Sequence, residues 1–229
     1  MNSIDRAHRM RHGASGKLGG ISPIFGKVRV SVPARALRKE QKDLTRERIL
    51  EAATRLLADS GYASLRVAAV AKEAGVSLGG QLHHFPTKDD LVLAVLERLS
   101  IQIIELARTD ASQADGNPDV FGLIAESARR FYATEEFLIF LDIFLSVRRH
   151  SLFGDAAKSL ISRERTAVEQ VWKPHLVKRG VDGDRALAII RAIWALARGQ
   201  AISSSEEHRA ANETVMSLVI EALKAELNG

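Results

Sequence analysis

The chain has 229 residues, 46% of them hydrophobic, enough to bury one large core or two modest ones. With no cysteine it holds neither disulfides nor thiolate metal ligands, which allows a reducing compartment. The net charge of +5 says little about a polyanion partner, because residues 1–44 hold ten Lys/Arg against three Asp/Glu and leave the remainder at −2.

Residues 1–43 are basic, and Gly13, Gly16, Gly19, Gly20, Gly26, Pro23 and Pro33 break helical runs, so a flexible extension is expected there. It reads either as a disordered leader, with Met10 a second candidate start, or as an arm that adds phosphate contacts or enters the minor groove. The opening MNSIDRAHRMRHG lacks the apolar stretch of a secretory signal.

Beyond it, the few prolines and the lack of sustained apolar–polar alternation predict an all-helical protein. The first helix is expected to open at Thr45 as its N-cap. Ile49, Ala52, Ala53, Leu56 and Leu57 recur at helical spacing, and Gly61 supplies the stop. A second helix spans Val67–Ala74, and the small side chains of its apolar face (Val67, Val70, Ala71, Ala74) let another helix cross closely. Gly75 is placed to take a left-handed conformation, Val76 to plug the angle, and Ser77 to cap a third helix, Ser77–Phe85, that Pro86 ends. Two helices joined by a short glycine-containing turn form a helix-turn-helix. Thr87 opens the next helix, with Asp90 completing an approximate capping box.

These residues, TRERILEAATRLLADSGYASLRVAAVAKEAGVSLGGQLHHFPTKDDLVLAVL at 45–96, resemble the TetR family of bacterial transcriptional regulators. Most specific are Ala74-Gly75-Val76-Ser77, Gly79, His84-Phe85-Pro86-Thr87-Lys88 and Asp90-Leu91. The resemblance implies an N-terminal three-helix DNA-binding domain, residues 44–98, and a C-terminal helical domain, residues 99–229, for ligand binding and dimerisation. It implies a cytoplasmic homodimeric repressor, released from a palindromic double-stranded operator by a small-molecule effector. The third helix would then enter the major groove with its N-terminal half toward base edges. Ser77 and the helix amides would meet a phosphate, Leu78 a thymine methyl, and Gly79 and Gly80 would allow close approach. Gln81 would pair with adenine or a phosphate, His83, His84 and Lys88 would meet phosphates, and Thr45 and Arg66 would hold the backbone at the starts of the first two helices. The sequence departs from the family where Gln81-Leu82 replaces the usual Leu-Tyr, making the inward position polar and the outward one apolar. Either the helix is rotated, or Gln81 is buried with a partner. Arg66 stands where the family often has a Thr or Ser cap.

After the polar stretch Thr109–Pro118, a helical region over Asp119–Leu227 is expected to break near Phe153–Gly154, Gly180–Gly183 and Ser203–Glu207. Phe131, Phe137, Phe140, Asp142, Phe144 and Trp172 are the candidates for an effector pocket suited to a largely apolar molecule. Asp142, inside FLIFLDIFL, needs either a partner (Arg129, Arg130 or Arg148) or a polar ligand group. The apolar run Phe137–Val147 is too short to span a bilayer, and no membrane partner is expected. Arg148-Arg149-His150 complement a helix dipole, and Arg163-Glu164-Arg165 read as a solvated face. The last two helices, Asp184–Ala201 and Ala210–Leu227, fit the family's dimer bundle, with Ala188, Ala192, Ala195, Gly199, Val215, Leu218, Val219 and Ala222 at the interface. The competing classes are an enzyme or lipid carrier, which no nucleophile–base pair, phosphate loop or metal spacing supports, and an interaction protein that has lost operator binding. No cofactor or metal is expected, since adjacent His83 and His84 point about 100° apart on a helix.

Overall fold

The computed structural model describes residues 34–146, 151–203 and 209–228, which are α-helical with no strand among them. Residues 1–33 of the expected extension, the Arg148–His150 cluster and residues 204–207 of the expected last break lie outside the described residues.

The N-terminal part is built from α1 (Ala34–Ser64), α2 (Val67–Glu73) and α3 (Leu78–His84). The expected start at Thr45 is corrected: α1 already runs from Ala34, and the Thr45 hydroxyl donates to the Gln41 carbonyl at 2.8 Å from inside the helix. The reason is local, since ARALRKEQKDL contains neither Gly nor Pro and is rich in strong helix formers. Gly61 does interrupt the helix, with φ 74° and ψ 170°.

From Thr87 rises α4 (Lys88–Ala111), closed by a capping box in which the Thr87 hydroxyl accepts from Asp90 N–H at 3.0 Å and the Asp90 carboxylate accepts from Thr87 N–H at 3.1 Å. This helix crosses the domain boundary expected at 98/99 without a break. Its buried Leu91, Val92, Val95 and Leu96 join Ile49, Leu50, Val70 and Phe85, while Leu99 and Ile103 continue into the same apolar core as Ile124, Phe131 and Ile190.

A short 3-10 turn, Ser112–Ala114, leads to α5 (Val120–Tyr132), α6 (Glu135–Ser146), α7 (Ser151–Val177), α8 (Gly183–Ser203) and α9 (Arg209–Asn228). The long α7 lies along α4, α8 packs on α5 and α7, and α9 on α8. The break expected at Phe153–Gly154 is corrected: α7 runs through both residues, which are buried in it. The break at Gly180–Gly183 is present, with Gly180 at φ 85° closing the end of α7.

Candidate nucleic-acid interface

The turn between α2 and α3 is made by backbone geometry. Gly75 sits at φ 65°, its N–H donating to Lys72 O at 3.2 Å, while Val76 N–H reaches back to Ala71 O at 3.0 Å. The Ser77 hydroxyl then accepts from Gly80 N–H at 3.1 Å, capping α3. These bonds fix one face of α3 outward. Leu78 (46% exposed), Gly79, Leu82 (40% exposed) and His83 occupy it, and a Cβ on Gly79 would meet nothing within 4 Å. The face is mostly apolar, with His83 at its far end and no side chain at Gly79.

Gln81 is corrected. It is fully buried, it faces the core, and neither Nε2 nor Oε1 finds a hydrogen-bond partner. The helix has therefore not rotated to expose it, and in this arrangement it offers nothing to a base or a phosphate. Leu82, not among the expected contacts, takes the outward place. The polar-inward, apolar-outward pattern was visible in the sequence, and burial decides which way it resolves.

The expected phosphate ligands divide. Ser77, Gly79 and His83 are exposed and Gly80 is half-buried on or beside the presented face. Arg66 is exposed, but its guanidinium donates to Ala63 O (2.8 Å) and Leu65 O (3.1 Å), holding the end of α1. The Lys88 ammonium is turned inward, donating to Tyr62 O at 2.5 Å and lying 4.2 Å over the Tyr62 ring, and burial lowers its pKa. His84 is half-buried, and burial, aided by the neighbouring charges of His83, Lys42 and Arg46, lowers its pKa and favours the neutral ring. Thr45 spends its hydroxyl on Gln41.

Asp142 is a second correction. It pairs with neither Arg129 nor Arg130, and Arg148 lies outside the described residues. The Asp142 carboxylate accepts from Tyr62 N–H at 2.6 Å and lies 3.1 Å from where a Gly61 Cβ would stand. Tyr62 is the centre of this clasp. Its hydroxyl donates to Asp89 at 3.1 Å, and its ring stacks on Phe153 of α7 with centroids 5.3 Å apart. Burial and Asp89 push the Tyr62 phenol up to about 12. One residue thus ties α1 to the start of α4, to α6 and to α7.

In the helical body Phe131 and Phe137 are buried in a four-ring cluster with Tyr132 and Trp194. The centroids are 4.7 Å apart for Tyr132–Phe137, 5.7 Å for Tyr132–Trp194 and 5.9 Å for Phe131–Phe137. Phe140 is buried in the same core. Phe144 is 43% exposed, unlike Phe137 and Phe140 on the same helix. Trp172 is fully buried, but its ring neighbour is His175, outside the cluster. Glu164, read from sequence as solvated, is only 8% exposed although Arg163 and Arg165 beside it are exposed. Burial pushes its carboxyl up to about 7, and its charge acts on the Tyr132 hydroxyl, to which Arg198 also hydrogen-bonds. The Trp194 Nε1–H is buried without a partner. A buried carboxyl and one indole N–H without a partner thus accompany four aromatic rings.

On α8 the two faces differ. Ala186, Ile189, Ile190, Ile193 and Ala197 are buried, whereas Ala188, Ala192, Ala195 and Gly199 are exposed. On α9, Val215, Leu218 (65%) and Ala222 are exposed and Val219 is half-buried. Among the described residues no three His, Asp or Glu side chains cluster as metal ligands.

Residues 49–95 match the family model for bacterial regulatory proteins of the tetR family. The chain is 35% identical over 172 residues to the HTH-type transcriptional regulator CymR of Pseudomonas putida, covering 75% of this chain and 85% of that one. It is 38% identical over 80 residues to the HTH-type transcriptional regulator TtgR, also of Pseudomonas putida, covering 35% of this chain and 38% of that one. Its fold resembles that of a proposed TetR-family regulator from Mesorhizobium loti, with a TM-score of 0.65 at 20% identity over 81% of this chain and 97% of the other. It also resembles the multidrug binding protein EbrR complexed with ethidium, with a TM-score of 0.59 at 20% identity over 76% of this chain and 98% of EbrR.

Proposed function

The chain belongs to the TetR family of bacterial regulatory proteins and is a DNA-binding transcriptional regulator, and from that premise we propose that it is a cytoplasmic homodimeric repressor that a small molecule releases from its operator. The observation that carries this reading is the pairing of a capped, outward-facing α3 with the Tyr62 clasp, which joins the reading head to a body holding an aromatic cluster. Residues 44–98 form the head in this proposal, and Leu78, Gly79, Leu82 and His83 approach the major groove while Ser77 and the first amides of α3 meet a phosphate. Arg66 reaches the backbone by exchanging a carbonyl for a phosphate.

Residues 99–229 form the effector and dimer region. The effector occupies the neighbourhood of Phe131, Phe137 and Phe140, with Tyr132, Trp194 and Glu164 added to the lining. A largely apolar molecule with one polar group suits it, because the buried Trp194 N–H lacks a partner and the Glu164 carboxyl lies nearby. EbrR, whose fold this chain resembles, is a multidrug binding protein complexed with ethidium. The exposed small-residue faces of α8 and α9 are the dimer contacts. Among the described helices, α8 is long and apolar enough to cross a membrane. Its buried face is instead occupied by this chain's own core, and a second copy accounts for the other. Two heads held by a twofold axis would read half-sites of a palindrome. Effector binding then shifts the population between head spacings, through the clasp.

The test is selection of genomic fragments by the purified chain, followed by a salt-dependent shift of one enriched duplex over random DNA. Saturable release of that duplex by a small molecule that also quenches Trp194 fluorescence supports the reading. Equal binding to all duplexes would sink it.

A further inference from the structure

Part of the sequence read as a loose leader is an ordered basic helix. Over residues 34–46, the first turns of α1, Arg35, Arg38, Lys39, Lys42 and Arg46 recur at three- and four-residue spacing, so they share one side of the helix. Glu40, Asp43 and Glu47 fall on a neighbouring stripe. All five basic residues are exposed or half-exposed, and among the described residues Arg35, Arg38, Lys39 and Lys42 make no ion pair.

The stripe is not remote from the reading head. Arg46 lies over the ring of Phe85, the residue that closes α3, at 5.3 Å. Lys42, one turn earlier, is close enough for its charge to act with that of Arg46 on His84, in the last turn of α3. The basic side of α1 therefore starts beside the end of the recognition helix and runs outward for about 16 Å from Arg46 to Arg35. That is long enough to face several phosphates, since a duplex carries about one charge per 1.7 Å of axis. The chemistry is that of a backbone contact: cations on flexible stems, no aromatic interleaving, and no amide fork aimed at base edges.

We propose that Arg35, Arg38, Lys39 and Lys42 form a second DNA-binding surface, a helical rail that grips phosphates flanking the half-site read by α3. It rests on the DNA-binding reading of the head and adds to it a sequence-independent contact outside the helix-turn-helix. The rail lengthens the footprint on each half-site and raises affinity for all DNA alike. Specificity stays with α3.

The test compares the full chain with the variant R35A/R38A/K39A/K42A on two fluorescently labelled probes. One is a random-sequence duplex, and the other is a duplex enriched from a randomised library by the unaltered chain. Binding is measured by anisotropy between about 50 and 200 mM NaCl. The rail predicts that the slope of log K against log salt becomes shallower by about three to four units per protomer. It also predicts at least a tenfold loss of affinity, the same on both probes. The charge-preserving variant R35K/R38K/K39R/K42R, made to separate charge from helix structure, restores slope and affinity. An unchanged slope in the alanine variant overturns the proposal, as does a loss confined to the enriched duplex. Failure of the charge-preserving variant to restore binding would also overturn it. Loss of all binding to both probes by the unaltered chain would instead strike the DNA-binding reading itself.

Discussion

Two glycines turn the chain in the reading head, and they do so in different ways. Gly75 takes φ 65° in a turn closed entirely by neighbours, and a Cβ there would meet nothing within 4 Å. Gly61, at φ 74° and ψ 170°, occupies a region nearly reserved for glycine and is also pressed against the Asp142 carboxylate from a helix 80 residues away. The first turn shapes the head from within. The second fastens the head to the body, so its strain is held by tertiary contact.

The contrast is sharpest in stability. Gly61→Ala should cost about 2–3 kcal/mol, combining backbone strain with the crowding of Asp142, whereas Gly75→Ala should cost only about 1–2 kcal/mol, from the left-handed backbone alone. Urea midpoints of the two variants check this, and equal losses would erase the distinction. Asp142→Ala follows at about 1.5 kcal/mol, the worth of one charged hydrogen bond at a partly buried site. Because the clasp joins head and body, this variant should also weaken the change in DNA affinity caused by an effector while leaving random-DNA affinity intact. A titration of both probes separates the two effects. Gln81→Leu acts inside the head, removing two buried groups without partners, and should raise stability by about 1 kcal/mol with random-DNA affinity unchanged.

A further effect, set by pH, lies in the body. The folded Glu164 carboxyl titrates at about 7, above the ordinary 4.5, so its contribution to stability is complete below pH 4.5 and is lost as pH rises through 7. Thermal melts of Glu164→Gln and the unaltered chain between about pH 5 and 8 should show the variant losing less stability with rising pH. Parallel profiles would mean that the carboxyl is hydrated in solution.

The parts legible in the sequence are those made by near neighbours. Gly75, Ser77 and the Thr87–Asp90 box act over three or four residues, so their roles follow from position. The inward place of Gln81 was half legible: the pattern raised it, but only packing shows that the helix keeps its register. The partner of Asp142 could not be read, because a backbone N–H leaves no mark in composition and lies on a different helix. Glu164 hid between two arginines that do face solvent. The early turns of α1 were missed for the converse reason. They carry no buried stripe, so helical periodicity has no apolar signal there, and basic residues after many glycines read as leader.

The continuity of α4 has a practical consequence for anyone grafting this head onto another sensor. Leu91, Val92, Val95 and Leu96 face the head, whereas Leu99, Ile103 and Ala107 continue down the same rod toward the body. A chimaera joined at 98/99 would splice two half-helices and set the angular phase of one half against the other. One residue added or removed there would swing the sensor by about 100°. Swaps that carry all of α4 with the head, together with the α6 segment holding Asp142, should keep that phase.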